Sequence, residues 1–194
     1  VKAPVKFLVK VDTLKWQSNH FKYNQVGKPI QKGFDPYHIS VQQDSLLVFR
    51  FMFNNYESFA DIVQLKLADK SGFKLNQLSG QYQQKDTVFQ FKKIILKSDF
   101  SSINGDISIH PNQYFVHLNN SLLSRKDIVL LAPEELAKLK PDLKEIRDVS
   151  FNLSARGNEA LVKFQKLEAF ANNRLFYINS TGSIANITEP DLLW

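Results

Sequence analysis

DIVQLKLADKSGFKLNQLSGQYQQKDTVFQFKKIILKSDFSSINGDISI, residues Asp61 to Ile109, decides the fold class. Apolar and polar residues alternate at Val63, Leu65 and Leu67, then at Phe73 and Leu75, and again at Phe89 and Phe91. Short polar runs separate these segments: Ala68 to Gly72, Gln83 to Asp86, and Ser101 to Gly105. Alternation with period two, bounded by Gly, Asp, Asn and Ser, marks half-buried strands joined by tight turns. No helix of ordinary length fits between them, so successive strands are expected to pair antiparallel as a meander. One face is apolar, and the other carries Gln64, Lys66, Lys74, Gln90 and Lys92.

The same grammar extends outward. Val5, Phe7, Val9 and Val11 open a strand that continues toward Trp16, Phe21 and Tyr23, and 25–36 reads as a loop punctuated by Gly27, Pro29, Gly33 and Pro36. Ser45 to Phe53 is apolar on both faces, with Leu47, Phe49 and Phe51 on one and Leu46, Val48 and Met52 on the other under strict alternation. Such a strand is either covered on both sides or leaves a large exposed patch, and Arg50 in its middle brings one end of the second face to water. Tyr114, Val116 and Leu118 continue the pattern. Further on, Val149, Phe151, Leu153 and Ala155 alternate with Ser150, Asn152 and Ser154. Between these two strands the period changes. Pro133, two glutamates after it, late lysines and Pro141 predict one short helix around 133–140. Thr188 to Asp191 resembles a helix entry at the other end of the chain.

Composition narrows the class. At 194 residues and 43% hydrophobic, the chain is globular rather than disordered, and long enough for one large all-β unit. It reads as one β-rich region over 1–194, a piece of a longer polypeptide. A net charge of +6 is spread along strands without a basic block, which argues against nucleic acid as a partner. The absence of cysteine excludes disulfides, thiolate metal sites and a cysteine nucleophile. No apolar run approaches the roughly 18 residues of a membrane-spanning helix.

Catalytic signatures are missing: there is no HExxH, GxSxG, GxxxxGK or GxGxxG. His20, His38, His110 and His117 have no metal-ligand spacing, Asp35 and Asp99 read as turn formers, and Glu134–Glu135 complements a helix dipole. The reading is non-enzymatic, with no cofactor and no metal. The element count carries more weight. Roughly ten one-sided strands cannot be covered by one helix of about two turns. Leaving one Phe or Leu in water forfeits about 2 kcal/mol, so the apolar face has to meet itself or something apolar. A barrel, a sandwich or an open U-shaped trough would each achieve this. A degenerate internal repeat, about 88–109 against 162–187, aligns Phe91 with Phe164 and Gly105 with Gly182 and favours strands stacked along an axis. The expectation is a curled antiparallel meander, U-shaped (taco-like) or sandwich-like. Leu65, Leu75, Phe89, Phe91, Ile107, Phe151 and Leu153 are the candidates to line an apolar groove.

Several segments resemble the AsmA/TamB family of envelope proteins. They are FDPYHISVQQDSL, KSGFKLNQLSGQY, FKKIILKSDFSSINGDISI, SLLSRKDIVLLAPEELAKLKP, VSFNLSARGN and TGSIANI. The likeness runs from Phe34 to Ile187 and consists of strand grammar and small residues. It implies a periplasmic part of an inner-membrane-anchored protein whose long curled sheet holds a hydrophobic groove. It further implies phospholipid acyl chains as cargo, outer-membrane assembly proteins as partners, and a role in lipid transport or outer-membrane biogenesis. The competing expectation is a surface or periplasmic β-sandwich that binds glycan or protein.

Overall fold

The computed structural model describes residues 7–138, 145–158, 160–172 and 176–185, without the side chain of Glu135. Ten strands follow one another in a meander: β1 (Leu8–Asn24), β2 (His38–Asn54), β3 (Glu57–Asp69), β4 (Lys74–Lys85), β5 (Val88–Ser98), β6 (Ser102–His110), β7 (Gln113–Ser124), β8 (Asp148–Gly157), β9 (Leu161–Ala171) and β10 (Phe176–Ala185). They form one sheet in sequence order, and every neighbouring pair is antiparallel. Short polar residues make the turns by capping them. The Asn54 side chain accepts the N–H groups of Tyr56 and Glu57 at 2.8 and 2.9 Å. Asp69 accepts that of Ser71 at 2.9 Å, and Asn158 those of Ala160 and Leu161 at 2.9 Å.

Strict alternation fails in the middle of most strands, and it fails where the sequence itself slips phase. In β5 the apolar series Phe89, Phe91 resumes at Ile94, Leu96 after two lysines, and the register with β6 shifts between Phe91 and Ile94. Lys93 takes a left-handed conformation (φ 54°), and its N–H is received by Asp106 of the next strand at 2.7 Å. In β7, Leu118 is followed by Asn119–Asn120 before Ser121, Asn120 has φ 45°, and its N–H goes to Asn152 of β8 at 2.8 Å. In β2 the bulge falls at Arg50 (φ 52°). Each bulge inserts one residue and returns the following apolar side chains to the original face. The strict-alternation reading of β2 is therefore corrected. Val48 pairs with Leu14 and Ile62, and Phe51 with Val11, on the apolar face, whereas Leu47, Phe49 and Met52 point the other way. Val63 likewise sits at a register shift, and Ile62 takes the in-phase position.

The irregularities are neighbours in space. Val48 faces Ile62, which faces Gly80; beyond the β5 bulge, Ile94 faces Gly105, then Leu118, Leu153 and Leu167 follow across the sheet. Bulges increase local twist and bend the strand, so a row of them creases the sheet across its strands. The burial pattern shows which way it bends. The eight buried hydrophobic residues among those described (Val48, Ala60, Leu75, Ile94, Leu118, Ala155, Val162 and Ala171) lie on the apolar face. A single-layer sheet can bury one face without a second layer only by curving toward it.

Helices occupy one margin. The short helix expected near 133–140 is present as α2 (Pro133–Ala137), with 139 and 140 outside the described residues, as are 188–191. Another helix, α1 (Arg125–Leu131), precedes it and leaves β7 directly, with Ser124 as its N-cap. It passes the β5–β6 turn, where Asp127 accepts the Ser98 hydroxyl, and the β3–β4 turn, where Leu130 lies beside Gly72. It ends at the β1–β2 loop, where the Phe34 N–H bonds the Leu131 carbonyl at 2.9 Å. Gly33 at φ 82° is required there, because a Cβ would meet Pro133 and the Leu131 carbonyl at 2.5 and 2.7 Å.

Candidate functional site: the inner face of the open sheet

Residues directly opposite on antiparallel strands project to the same face, so the register places each groove candidate. Leu65 faces Leu78, which faces Leu96 and then Ile103. Leu75 faces Leu67 and Ser98. Nearer the other margin, Tyr82 faces Phe91, which faces Ile107, Val116, Ala155 and Phe164 in turn. Phe89 faces Ile109. On β8, Phe151 lies between Ser121 and Ala169, and Leu153 between Leu118 and Leu167. The structure thus brings Leu65, Leu75, Phe89, Phe91, Ile107, Phe151 and Leu153 onto one continuous inner surface. Lys66, Lys74, Gln90 and Lys92 fall on the outer one, opposite Ser45, Ala68, Ser108 and Gln81.

This surface is almost free of charge. Among described strand residues in register, Asp69 is the one charged side chain on it, and it is buried in the β3–β4 turn. Burial varies along it: Leu75 is 7% exposed and Phe89 41%. Among the described strands neither β1 nor β10 has a second neighbour, so these ten do not close into a barrel. The chain exposes 13566 Å², against about 9400 Å² expected for a compact monomer of this mass. With strands about 4.8 Å apart, the creased surface runs roughly 43 Å from β1 to β10. The arrangement is an open trough crossing the strands, with aliphatic and aromatic side chains within.

One margin of the trough is held by a polar cluster. Asp35 is 1% exposed. It accepts the N–H groups of Gln31 and Tyr37, both at 3.0 Å, and pairs with His38 Nδ1 at 2.9 Å and Lys70 Nζ at 3.7 Å. Burial alone would raise its pKa, but the two backbone donors and His38 outweigh that and hold it at about 2. Asp35 is thus more than a turn former: it ties the β1–β2 loop to the β3–β4 turn. Sequence reasoning missed this role, although an acid before Pro36 and three residues from a histidine was a usable signal.

The remaining candidates for chemistry stay apart. His20 bonds Ser40, His110 bonds Ser108 and His117 bonds Asn119, each with its own local partner. Among the described residues no three His, Asp or Glu side chains are placed to hold a metal ion, and no helix is long and apolar enough to cross a membrane. The two stretches of the internal repeat form the hairpins β5–β6 and β9–β10 as far as residue 185, with Gly105 and Gly182 both at positive φ. No family model matches this chain, and no curated protein or solved structure matches it either.

Proposed function

We propose that the trough carries phospholipid acyl chains. In this reading the chain is a non-enzymatic segment of a periplasmic, inner-membrane-anchored protein of the AsmA/TamB kind that serves lipid transport or outer-membrane biogenesis. The observation that supports it is the inner face itself: a charge-poor apolar surface across ten strands, with no second layer packed against it among the described residues. Each methylene of a ligand taken out of water there contributes about 0.8 kcal/mol, and polar groups on that face such as Asp69, Tyr82 and Ser121 already have hydrogen-bond partners within the protein. A surface of this kind favours long hydrocarbon chains and has little means of selecting a headgroup. Outer-membrane assembly proteins would be its partners.

The test uses a photo-crosslinking residue in the full-length protein in cells, placed at Phe91 or at Lys92. Phospholipid adducts are expected at Phe91 and not at Lys92. No adduct at Phe91 would refute the conduit and favour a glycan- or protein-binding module. Adducts at both positions would reduce the result to general membrane contact.

A further inference from the structure

Strand β2 carries apolar side chains on both faces, and the trough accounts for one set only. On the outer face Leu47, Phe49, Met52 and Phe59 lie together: Met52 pairs with Phe59, and Phe49 is next in phase along β2. Leu47, Met52 and Phe59 are half-buried, and Phe49 is 41% exposed. The rest of the outer face is mixed. From β4 onward polar side chains such as Gln81, Gln90, Asn104 and Asn152 are interspersed with single apolar ones, Ile95, Phe115, Leu122 and Phe170. Among the described strands, β2 alone has three successive outward positions that are all apolar, Leu47, Phe49 and Met52.

Its border is basic. Lys10 stands opposite Met52, Lys15 opposite Leu47, and Lys66 opposite Ser45 at the upper edge. Arg50 lies over the Phe59 ring, 5.4 Å from its centroid, with its side chain 67% exposed, and pairs with Asp61. That pairing neutralises the one acid in register within the patch. Even with Asp12, between Val11 and Thr13, the local balance remains positive. Long basic side chains can lay their stems along apolar neighbours while their heads reach outward.

We propose that the outer face of β1–β3 docks on an anionic lipid surface. Phe49, Met52 and Leu47 would enter the headgroup boundary, and Lys10, Lys15 and Lys66 would meet the lipid phosphates. Charge decides among possible occupants. A two-fold contact with a second copy would bring two net-positive patches together, whereas an anionic membrane offers phosphates to all of the lysines. The proposal does not rest on the conduit reading, since it uses the opposite face, but the two fit together: a trough pinned by its back keeps its mouth free.

Flotation of the purified chain with vesicles tests it. The chain should float with phosphatidylglycerol–phosphatidylcholine vesicles at low salt, should bind pure phosphatidylcholine much less, and should detach in high salt. Each lysine near an anionic surface contributes about five-fold to partitioning, so the combined Lys10→Gln, Lys15→Gln, Lys66→Gln variant should bind on the order of 100-fold more weakly. Phe49→Ser, at unchanged charge, should also weaken binding, and Phe91→Ser, on the inner face, should not. Three results would overturn the proposal: no binding to anionic vesicles, equal binding to neutral ones, or undiminished binding by the lysine variant. Loss of binding in Phe91→Ser with retention in Phe49→Ser would assign the contact to the trough rim instead. Since the lysine variant alters only exposed side chains, its melting temperature should match the parent's and separates docking from folding.

Discussion

Gly105 and Gly182 have nearly the same backbone conformation, φ 150° and 158°, and very different surroundings. A Cβ at Gly105 would fall 1.9 Å from the His117 carbonyl oxygen and 2.9 Å from Leu118 Cα, where ordinary contact begins near 3.4 Å. At Gly182 a Cβ would meet nothing within 4 Å. Substitution by alanine therefore imposes the same conformational strain at both sites, about 1–3 kcal/mol, but only at Gly105 does it also force strands apart. Opening β6 from β7 by about 1.5 Å, the shortfall at His117, loses roughly two ladder hydrogen bonds at about 1 kcal/mol each and loosens Leu118. Gly105→Ala should then be less stable than Gly182→Ala by about 2–3 kcal/mol, or about 4–12 °C in melting temperature for a protein of this size. Thermal and urea unfolding of the two variants side by side would measure it. Equal stability would mean that β6 and β7 do not approach at the crease as described, and the account of the crease would fail with it.

Three other predictions concern the margins and the faces. Phe151→Asp, which puts a charge on the inner face, should destabilise by several kcal/mol if the arms of the trough exclude water around it. Asn152→Ala on the outer face should cost about 1 kcal/mol, because it removes the acceptor of the Asn120 N–H, and Asn152→Asp keeps that acceptor but sets a carboxylate against Glu168; urea midpoints separate the three. Asp35 has a folded-state pKa of about 2, below its unfolded value. Its contribution is therefore fully present above about pH 4 and lost as pH falls through 2. Asp35→Asn should flatten that part of an acid-unfolding profile, and an unchanged profile would show that the cluster does not favour the charged form. Ser98→Ala, which deletes the hydroxyl donated to Asp127 and the acceptor of the Ser101 N–H at 2.8 Å, should speed amide exchange in Arg125–Leu131 and in the β5–β6 turn while leaving the far ends of β5 and β6 nearly unaltered.

The strands were legible in the sequence because a half-buried strand writes its faces in period two. The crease was not. A bulge adds one residue, and without a partner strand in view Arg50 in VFRFMF or Lys93 in FQFKKIIL is indistinguishable from a polar intrusion. Strict alternation consequently put Phe51 with Leu47 and Phe49, whereas the slip against β3, between the Phe49–Asp61 and Met52–Phe59 pairs, sends it inward. The seven groove candidates escaped this error because each lies in phase with its own half-strand. Helix α1 was hidden for another reason: seven residues with Ile128, Leu130 and Leu131 show too little of a 3.6 period to declare themselves. Asp35 read only as a turn former, because its burial and its contact with Lys70 depend on a turn that comes from another hairpin.

Nearest-neighbour order also governs how the chain can assemble. Every strand pairs with the one made just before it, so no strand has to wait for a distant partner, and loop-closure entropy is met in small instalments. A newly formed hairpin is itself the template edge for the next, and growth can proceed from β1 toward β10 as the chain emerges. The contact between Phe34 and Leu131 is of another sort, since it joins the first loop to the helix that follows the seventh strand. It can form only after six hairpins are in place. The brace along the margin is thus a late event, and it reports that the sheet beneath it has reached its proper length.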